Sequence, residues 1–198
     1  MRPLLAALLL AALCPSCANA YRSTVHEHSA VGLRWLAAEG LQSDRQDPRR
    51  ADQRLQGLDA SGYAVTFEEW IDAGSSVLFE LGRRSYPTAA VDARALELRT
   101  VGREYFLEDS RTQPFLEGAL VLSAIDVDTV DGLVLGVGAA GGGGLRHFFS
   151  NAFSLDLSAT YTAMVVDPRT VTTAKGDRFR TEEELYGWEF AVQLAFLF

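Results

Sequence analysis

The last thirteen residues alternate between large apolar side chains and mostly small or polar ones, and this pattern constrains the fold more than any other feature. Every second residue from Tyr186 to Phe198 is large and apolar, whereas residues such as Gly187, Glu189 and Gln193 lie between them. A period of two puts the two sets on opposite faces of a β-strand. The large face has aromatic residues at both ends and aliphatic residues in its middle, as lipid-facing strands have. Because strands in soluble proteins usually span about five or six residues, this length favours a transmembrane strand.

Seven earlier segments alternate in a similar way, although the pattern weakens toward the N-terminus. We predict strands at Ser29–Ala38, Tyr63–Trp70, Ser75–Arg84, Asp92–Tyr105, Pro114–Ser123, Leu133–Phe148 and Ser154–Val166. Glu68–Trp70 and Thr100–Tyr105 fit the alternation poorly, so a bulge or a strand end is expected in each. With Tyr186–Phe198 the total is eight, which predicts an all-β, eight-stranded antiparallel up-and-down transmembrane β-barrel.

The lengths of the connections agree with this topology. Two of them, Glu39–Gly62 and Val166–Glu183, are long and charged, whereas Asp72–Gly74, Phe106–Thr112 and Phe149–Phe153 are short. Outer-membrane barrels have short periplasmic turns and longer external loops. With both termini in the periplasm, the two long connections fall on the external side.

The first 20 residues have the layout of a secretory signal peptide. Arg2 is followed by an apolar run from Leu4 to Leu13, and a small-residue cleavage site closes the segment at Ala20. The run is too short for a membrane-spanning helix, which needs about 20 residues. We therefore predict a signal peptide at 1–20 and an outer-membrane β-barrel domain at 21–198. Acylation of Cys17 is a weaker alternative, because Cys14 stands three positions before it where leucine is usual.

The balance of charges argues against nucleic acid as a partner. The chain has 18 basic and 26 acidic residues, and loss of Arg2 with the signal leaves 17 against 26, a net charge of −9. Nucleic-acid binding requires a basic face. Lys175 is the one lysine beside 17 arginines, whereas a soluble β-protein usually keeps its exposed edges solvated with lysine. Both cysteines lie in the predicted signal, so no disulfide is expected.

The stretch from Gly141 to Tyr161, GGGGLRHFFSNAFSLDLSATY, resembles the small outer-membrane β-barrel superfamily of OmpA and OmpX. Those proteins often carry a Gly-rich strand that ends in Leu-Arg-Tyr-aromatic, then a short turn and an alternating Leu-x-Leu strand; His147 stands where tyrosine is usual. The C-terminal Leu194, Phe196 and Phe198 are similar to the signal that the barrel-assembly machinery reads. The resemblance covers about residues 113–198. It implies an outer-membrane location and this topology, but no particular activity.

Charged residues on the inward faces predict an ion-pair network. Eight strands enclose an interior that side chains can fill, and buried charges persist only when they are paired and hydrogen-bonded. Some of these charges are expected near a rim, where they meet water. The predicted network, which closes the lumen to diffusion, consists of Arg34, Glu68, Glu80, Glu97, Arg99, Glu117, Arg146, Asp156 and Glu189, with Gln193 on the same faces. Trp35, Tyr161, Tyr186 and Trp188 are predicted to form an outward aromatic girdle.

His147 and Ser150 raise an enzymatic alternative. Lipid A deacylases are also eight-stranded outer-membrane barrels, with a histidine and a serine close together before an asparagine, and this chain reads His147-Phe-Phe-Ser150-Asn151. Here the spacing is three rather than two, which puts the two side chains on opposite faces of a strand. A nucleophile and its base need hydrogen-bond reach. The favoured interpretation is that His147 acts like an aromatic residue at the membrane interface and that Ser150 lies in a turn. We therefore expect no enzymatic activity.

Four weaker motifs favour ordinary structural roles. Gly136–Gly141 matches the dinucleotide pattern G-x-G-x-x-G, but strand-like alternation continues where a helix should begin. His26 and His28 lack further metal ligands, and Asp126–Gly132 lacks the late acid of a calcium loop. The loop arginines can contact lipopolysaccharide phosphates, but a hydrated loop is the favoured interpretation; they are Arg45, Arg49, Arg50 and Arg54.

These observations predict a non-enzymatic, monomeric outer-membrane barrel with a structural or surface-interaction role. It requires no cofactor. Its expected partners are outer-membrane lipids, lipopolysaccharide and, during insertion, the barrel-assembly machinery. A further alternative is a soluble exported barrel that binds a hydrophobic ligand, in which case the large apolar residues point inward.

Overall fold

Eight antiparallel strands close into a barrel in the computed structural model, which describes residues 29–46, 55–72, 74–87, 92–107, 110–127, 133–172 and 178–198. Each strand pairs with its neighbours in the sequence, and the first pairs with the last. The strands are β1 (Ser29–Gln46), β2 (Leu55–Trp70), β3 (Ser75–Pro87), β4 (Asp92–Tyr105), β5 (Thr112–Val127), β6 (Val134–Ser150), β7 (Phe153–Thr172) and β8 (Arg178–Leu197). The described part of the chain contains no helix long and apolar enough to cross a membrane.

The predicted number, order and type of strands are confirmed, and β4 has the predicted bounds. The predicted long connections are wrong in extent. β1 continues to Gln46 and β2 begins at Leu55, while β7 and β8 take up most of residues 166–183. Apolar alternation marks only the lipid-facing part of a strand, whereas the backbone ladder continues beyond it.

The poorly alternating segments have different explanations. β2 ends at Trp70, so the first of them is a strand end, whereas residues 100–105 pair without interruption along β4. One register shift lies on β1, where pairing with β8 passes from Ala38↔Glu189 to Gln42↔Tyr186, and others follow Phe148 on β6 and Val166 on β7. One extra residue on β1 is thereby accommodated as a bulge.

Ser29, the C-terminal Phe198 and the short turns lie at one end of the barrel, which we call the turn end. Ser29 and Phe198 exchange two backbone hydrogen bonds there, of 3.2 and 3.0 Å, which join the first strand to the end of the chain. In the turn after β2, the Asp72 carboxylate accepts hydrogen bonds from the backbone N–H groups of Gly74 and Ser75 at 2.9 and 2.8 Å. We call the opposite end the loop end.

The inner and outer faces alternate along every strand, with apolar side chains outside and most charged ones inside. Glycines on the inner face of β6 allow close approach. A Cβ at Gly144 would lie 2.6 Å from the Phe115 ring, and one at Gly142 would strike the Ala159 carbonyl oxygen of β7. These glycines therefore leave space for the Phe115 ring, and the nearby backbone of β7 also requires them.

Candidate functional site in the barrel interior

The nine charged residues predicted for the interior are all on inward faces and all buried. None of them meets water at a rim, because apolar side chains lie beyond the charges at both ends of the barrel. The structure also brings Arg84 and Arg103 inside, two residues that were not predicted to lie there. Among the described residues, five arginines and six carboxylates form the interior ion pairs.

The half of the network nearer the loop end contains two arginines and two glutamates. Arg84 binds the Glu189 carboxylate through both of its terminal nitrogens, and its Nε lies 2.7 Å from Glu97 Oε2. Arg99 reaches the same two carboxylates, at 2.9 Å to Glu189 and 3.1 Å to Glu97. The Tyr86 hydroxyl donates a hydrogen bond of 2.9 Å to Glu97. Each carboxylate is therefore shared by two guanidinium groups.

The half nearer the turn end is centred on Arg146. Its Nε and Nη2 donate to the two oxygens of Asp156 at 2.7 and 2.6 Å, and Nη2 also lies 2.6 Å from Glu68. The hydroxyls of Tyr105 and Ser76 donate to Glu68 at 2.7 and 2.6 Å. Paired charges and hydroxyl donors together satisfy a carboxylate that is removed from water.

Arg34 and Arg103 join these halves into one network, because Glu80 also lies 3.9 Å from Arg99 in the loop-end half. Arg34 donates to Glu80 at 3.2 Å, to Glu117 at 2.9 Å and to the Ser158 hydroxyl at 3.0 Å. Arg103 binds Glu117 at 2.9 Å and Asp156 at 2.8 Å. These contacts connect strands on opposite sides of the barrel. Gln193 belongs to the same layer, with its amide oxygen 3.4 Å from Arg103.

Position in the alternation is the signal that could have identified the two missed arginines. Arg84 lies four residues after Glu80, and Arg103 lies four residues after Arg99, so each shares a face with a predicted interior residue. Arg84 stood at the predicted end of its strand, and Arg103 stood in the segment where alternation is weak.

Apolar layers cover the network at both ends. At the loop end Leu41, Tyr86, Ile125 and Met164 belong to one buried cluster, beside a cavity of about 10 Å³. That volume is close to the minimum that holds one water molecule. At the turn end Phe148 and Leu197 are buried together, with partly buried Trp70 against them.

Aromatic rings at the turn end also face the arginines directly. The Arg146 guanidinium lies 5.0 Å from the centre of the Trp70 ring and 5.1 Å from that of Tyr105. Arg103 lies 4.6 Å from the centre of the Phe115 ring. Such cation–π contacts stabilise a guanidinium that has lost its hydration.

The outer wall is apolar on every strand. Trp188 and Phe190 are 53% and 57% exposed and point away from the interior, as do Leu33, Val65 and Leu120. The alternative of a soluble barrel with inward apolar residues is therefore wrong. A continuous apolar wall of this kind requires lipid around it, because such a surface is unfavourable in water. A closed barrel can lie in lipid because it satisfies its backbone groups internally.

Three of the four predicted girdle residues lie on the outer wall, and Tyr186 differs from them. Trp35 points outward, and the rings of Tyr161 and Trp188 meet edge to face at 5.6 Å on the outer wall. Tyr186 is only partly exposed and lines the loop-end cavity, because it lies beside the bulge of β1.

Of the predicted assembly signal, Leu194 and Phe196 lie on the outward face of β8, and Phe198 follows the end of that strand. The Phe196 ring contacts that of Phe153 at 5.4 Å between centroids. Phe198 exposes its ring at the turn end while its backbone pairs with Ser29.

His147 and Ser150 have separate local partners. The His147 ring faces outward, with Nδ1 2.8 Å from the Thr112 hydroxyl and its edge against Phe149. Ser150 lies beyond a shift in register at the end of β6, where its hydroxyl accepts a 3.2 Å hydrogen bond from the Ala152 N–H. Both residues lie at the turn end.

Several predicted features fall outside the described residues. They are the signal peptide at 1–20 with Cys14 and Cys17, the pair His26 and His28, the loop residues Arg49, Arg50 and Arg54, and the end of the Asp126–Gly132 segment. Arg45 lies on β1, but its side chain is also outside the described part. Gly136 and Gly138 lie on a continuous strand rather than before a helix, so the nucleotide-binding motif is absent from β6.

No family model matches the sequence, and no curated protein matches it. Solved structures match in fold. The crystal structure of the outer membrane protein OprG from Pseudomonas aeruginosa aligns with a TM-score of 0.59 and 12% identity, over 86% of this chain and 95% of that one. The solid-state NMR structure of outer membrane protein AlkL in DMPC bilayers gives 0.57 and 13%, over 86% and 90%. The crystal structure of Neisserial surface protein A gives 0.54 and 14%, over 85% and 99%.

The chain therefore has the fold of the small eight-stranded outer-membrane barrels. Its outer wall supplies an independent physical argument, because apolar side chains on all eight strands need a bilayer. The outer-membrane location predicted from the sequence agrees with both observations.

Proposed function

We propose that this protein is a non-enzymatic barrel whose interior network closes the lumen, and that it acts as a structural or surface-interaction protein of the outer membrane. The turn end faces the periplasm and the loop end faces outward, as in barrels with short periplasmic turns. Residues 1–20 direct export, and the barrel-assembly machinery recognises Leu194, Phe196 and Phe198. The mature protein works as a monomer surrounded by outer-membrane lipid and lipopolysaccharide.

The single observation that supports a closed lumen is the pairing of charges across the interior. Arg34 on β1 contacts Glu117 on β5, and Arg84 on β3 contacts Glu189 on β8, so side chains from distant strands meet near the axis. Apolar clusters lie beyond the charges at both ends. An ion passing through would have to break several buried pairs, and breaking one typically costs about 3–5 kcal/mol.

Conductance in a planar bilayer tests this proposal. The purified protein, shown to be folded by its heat-dependent shift on gels, should give no unitary steps above the baseline. A variant that removes charges on two sides of the axis, Arg34→Ala with Glu117→Ala, should give measurable steps if it still folds. Steady unitary conductance of the wild type would overturn the closed-lumen proposal.

The local contacts of His147 and Ser150 support the non-enzymatic part of the proposal. They are the contacts expected of an aromatic ring at the membrane interface and of a hydroxyl in a turn. Incubation of the folded protein with lipid A, followed by mass spectrometry, should show no loss of an acyl chain. Deacylation that disappears in both His147→Ala and Ser150→Ala would contradict the proposal and establish the hydrolase alternative.

A further inference from the structure

Two arginines lie on the outer wall at the loop end, in contrast to those of the interior. Arg83 on β3 and Arg94 on β4 both point outward and are exposed. Arg83 faces Leu96 across the β3–β4 ladder, and Ser85 faces Arg94. Arg83 and Arg94 are therefore diagonal neighbours on one surface. Diagonal positions are about 7–8 Å apart, which two long side chains can bridge through one ligand.

Neither arginine forms an ion pair with another described residue, whereas all five interior arginines do. Asp126 is the register partner of Arg94 on β5, but no ion pair joins them. Two guanidinium groups on a chain of net charge −8 thus lie on one surface, and no carboxylate of the described residues forms an ion pair with either.

An apolar wall begins directly below this pair. Leu81 precedes Arg83 on the same face of β3, and Leu96 and Leu98 follow Arg94 on β4; each is about half exposed. Tyr63, 58% exposed, faces Arg83 from β2. The surface therefore presents two cations and a phenol above a continuous hydrocarbon-facing strip.

We infer that Arg83 and Arg94 bind a phosphate of a phosphorylated glycolipid in the outer leaflet, whose acyl chains lie along Leu81, Leu96 and Leu98. The inference rests on the proposed function, because it requires the loop end to face outward. Arginine matches the geometry of phosphate with paired donors, and charge-assisted hydrogen bonds are the stronger class. Ser85 and the Tyr63 hydroxyl offer further donors to the sugar or phosphate oxygens at the same level.

The test compares lipid binding by the wild type and an Arg83→Gln/Arg94→Gln variant, both as full mature chains folded in detergent. Native mass spectrometry with titrated bisphosphorylated lipid A should show a loss of affinity of about tenfold or more in the variant. Lipid A from which both phosphates have been removed should bind the two proteins equally and weakly. Wild-type binding should weaken as salt is added, since exposed charges are screened.

Arg111→Gln is the matched control, because Arg111 is an exposed arginine at the turn end. Its affinity for lipid A should equal that of the wild type. An equal affinity of wild type and double variant, or an equal loss in Arg111→Gln, would overturn the inference. Displacement of lipid A by millimolar inorganic phosphate would also overturn it, since the site would then take the free ion.

The same preparations separate this inference from the proposed function. Both proteins should show the heat-dependent gel shift and no conductance, because Arg83 and Arg94 lie outside the lumen. If the wild type conducts ions and the double variant binds lipid A more weakly, the closed lumen is refuted and the lipid site stands. If the wild type does not conduct and the double variant binds lipid A as tightly as the wild type, the lipid site is refuted and the closed lumen stands.

Discussion

Arg146 and Asp156 face each other in register on β6 and β7 and share two hydrogen bonds, of 2.7 and 2.6 Å, inside the barrel. The two residues are separated by one tight turn in the sequence, so their pairing is local. Each also reaches a more distant partner: Arg146 contacts Glu68 of β2, and Asp156 contacts Arg103 of β4. A local pair thereby anchors contacts that cross the lumen.

Removal of this shared carboxylate should be costly. Asp156→Ala leaves Arg146 and Arg103 each without one acceptor, and breaking a buried pair typically costs about 3–5 kcal/mol. Urea unfolding in lipid vesicles, followed by tryptophan fluorescence, measures the change in free energy. Asp126→Ala, at an exposed aspartate of β5, should change it by less than about 0.5 kcal/mol. Equal effects of the two substitutions would contradict the assigned role of Asp156.

Two neighbouring glycines of β6 should respond differently to an added methyl group. A Cβ at Gly142 collides with the Ala159 carbonyl oxygen, whereas one at Gly141 has no atom of the described residues within 4 Å. Gly142→Ala should lower the folded fraction on unheated gels, and Gly141→Ala should leave it unchanged. If both variants fold equally well, the close approach of β6 and β7 is not required.

A charge placed in the middle of the outer wall should destabilise the protein in lipid. Leu120 and Leu133 are both 70% exposed, but Leu120 lies in the middle of β5 and Leu133 lies at the loop end before β6. Leu120→Arg should cost about 2–4 kcal/mol in vesicles, and Leu133→Arg about 0–1 kcal/mol. Unfolding titrations in the same lipid give both values. A stabilising Leu120→Arg would mean that the outer wall faces water.

The C-terminal ring should matter for assembly more than for stability. Phe198→Ala removes an exposed side chain but keeps both backbone hydrogen bonds to Ser29. Refolding into vesicles should proceed as in the wild type, whereas the yield of folded protein in the outer membrane of cells should fall. Yields that stay equal in cells would show that Phe198 is not part of the assembly signal.

Much of the fold could be predicted because a period of two is a local property. Alternation alone assigned Trp35, Leu98 and Phe190 to the outside and Arg34 and Glu97 to the inside, and the structure agrees in each case. The extensions of β1 and β7 beyond the apolar band could not be predicted, because the apolar alternation ends before them. Without alternation, the sequence does not show that a strand continues. The bulge after Ala38 was also missed, since one extra residue is recognisable only against the register of β2 and β8.

In the interior, too, some features follow from the sequence alone and others from the closed barrel. The sequence determined which charges point inward, because alternation along each strand places them on the face opposite the apolar residues. Only barrel closure decided their partners: Arg84 and Glu189 are 105 residues apart in the chain and meet because β8 pairs with β1 and brings its inner face across from β3. The face on which a side chain lies follows from its neighbours along one strand. Its partner across the barrel axis depends on the closed ring of strands as a whole.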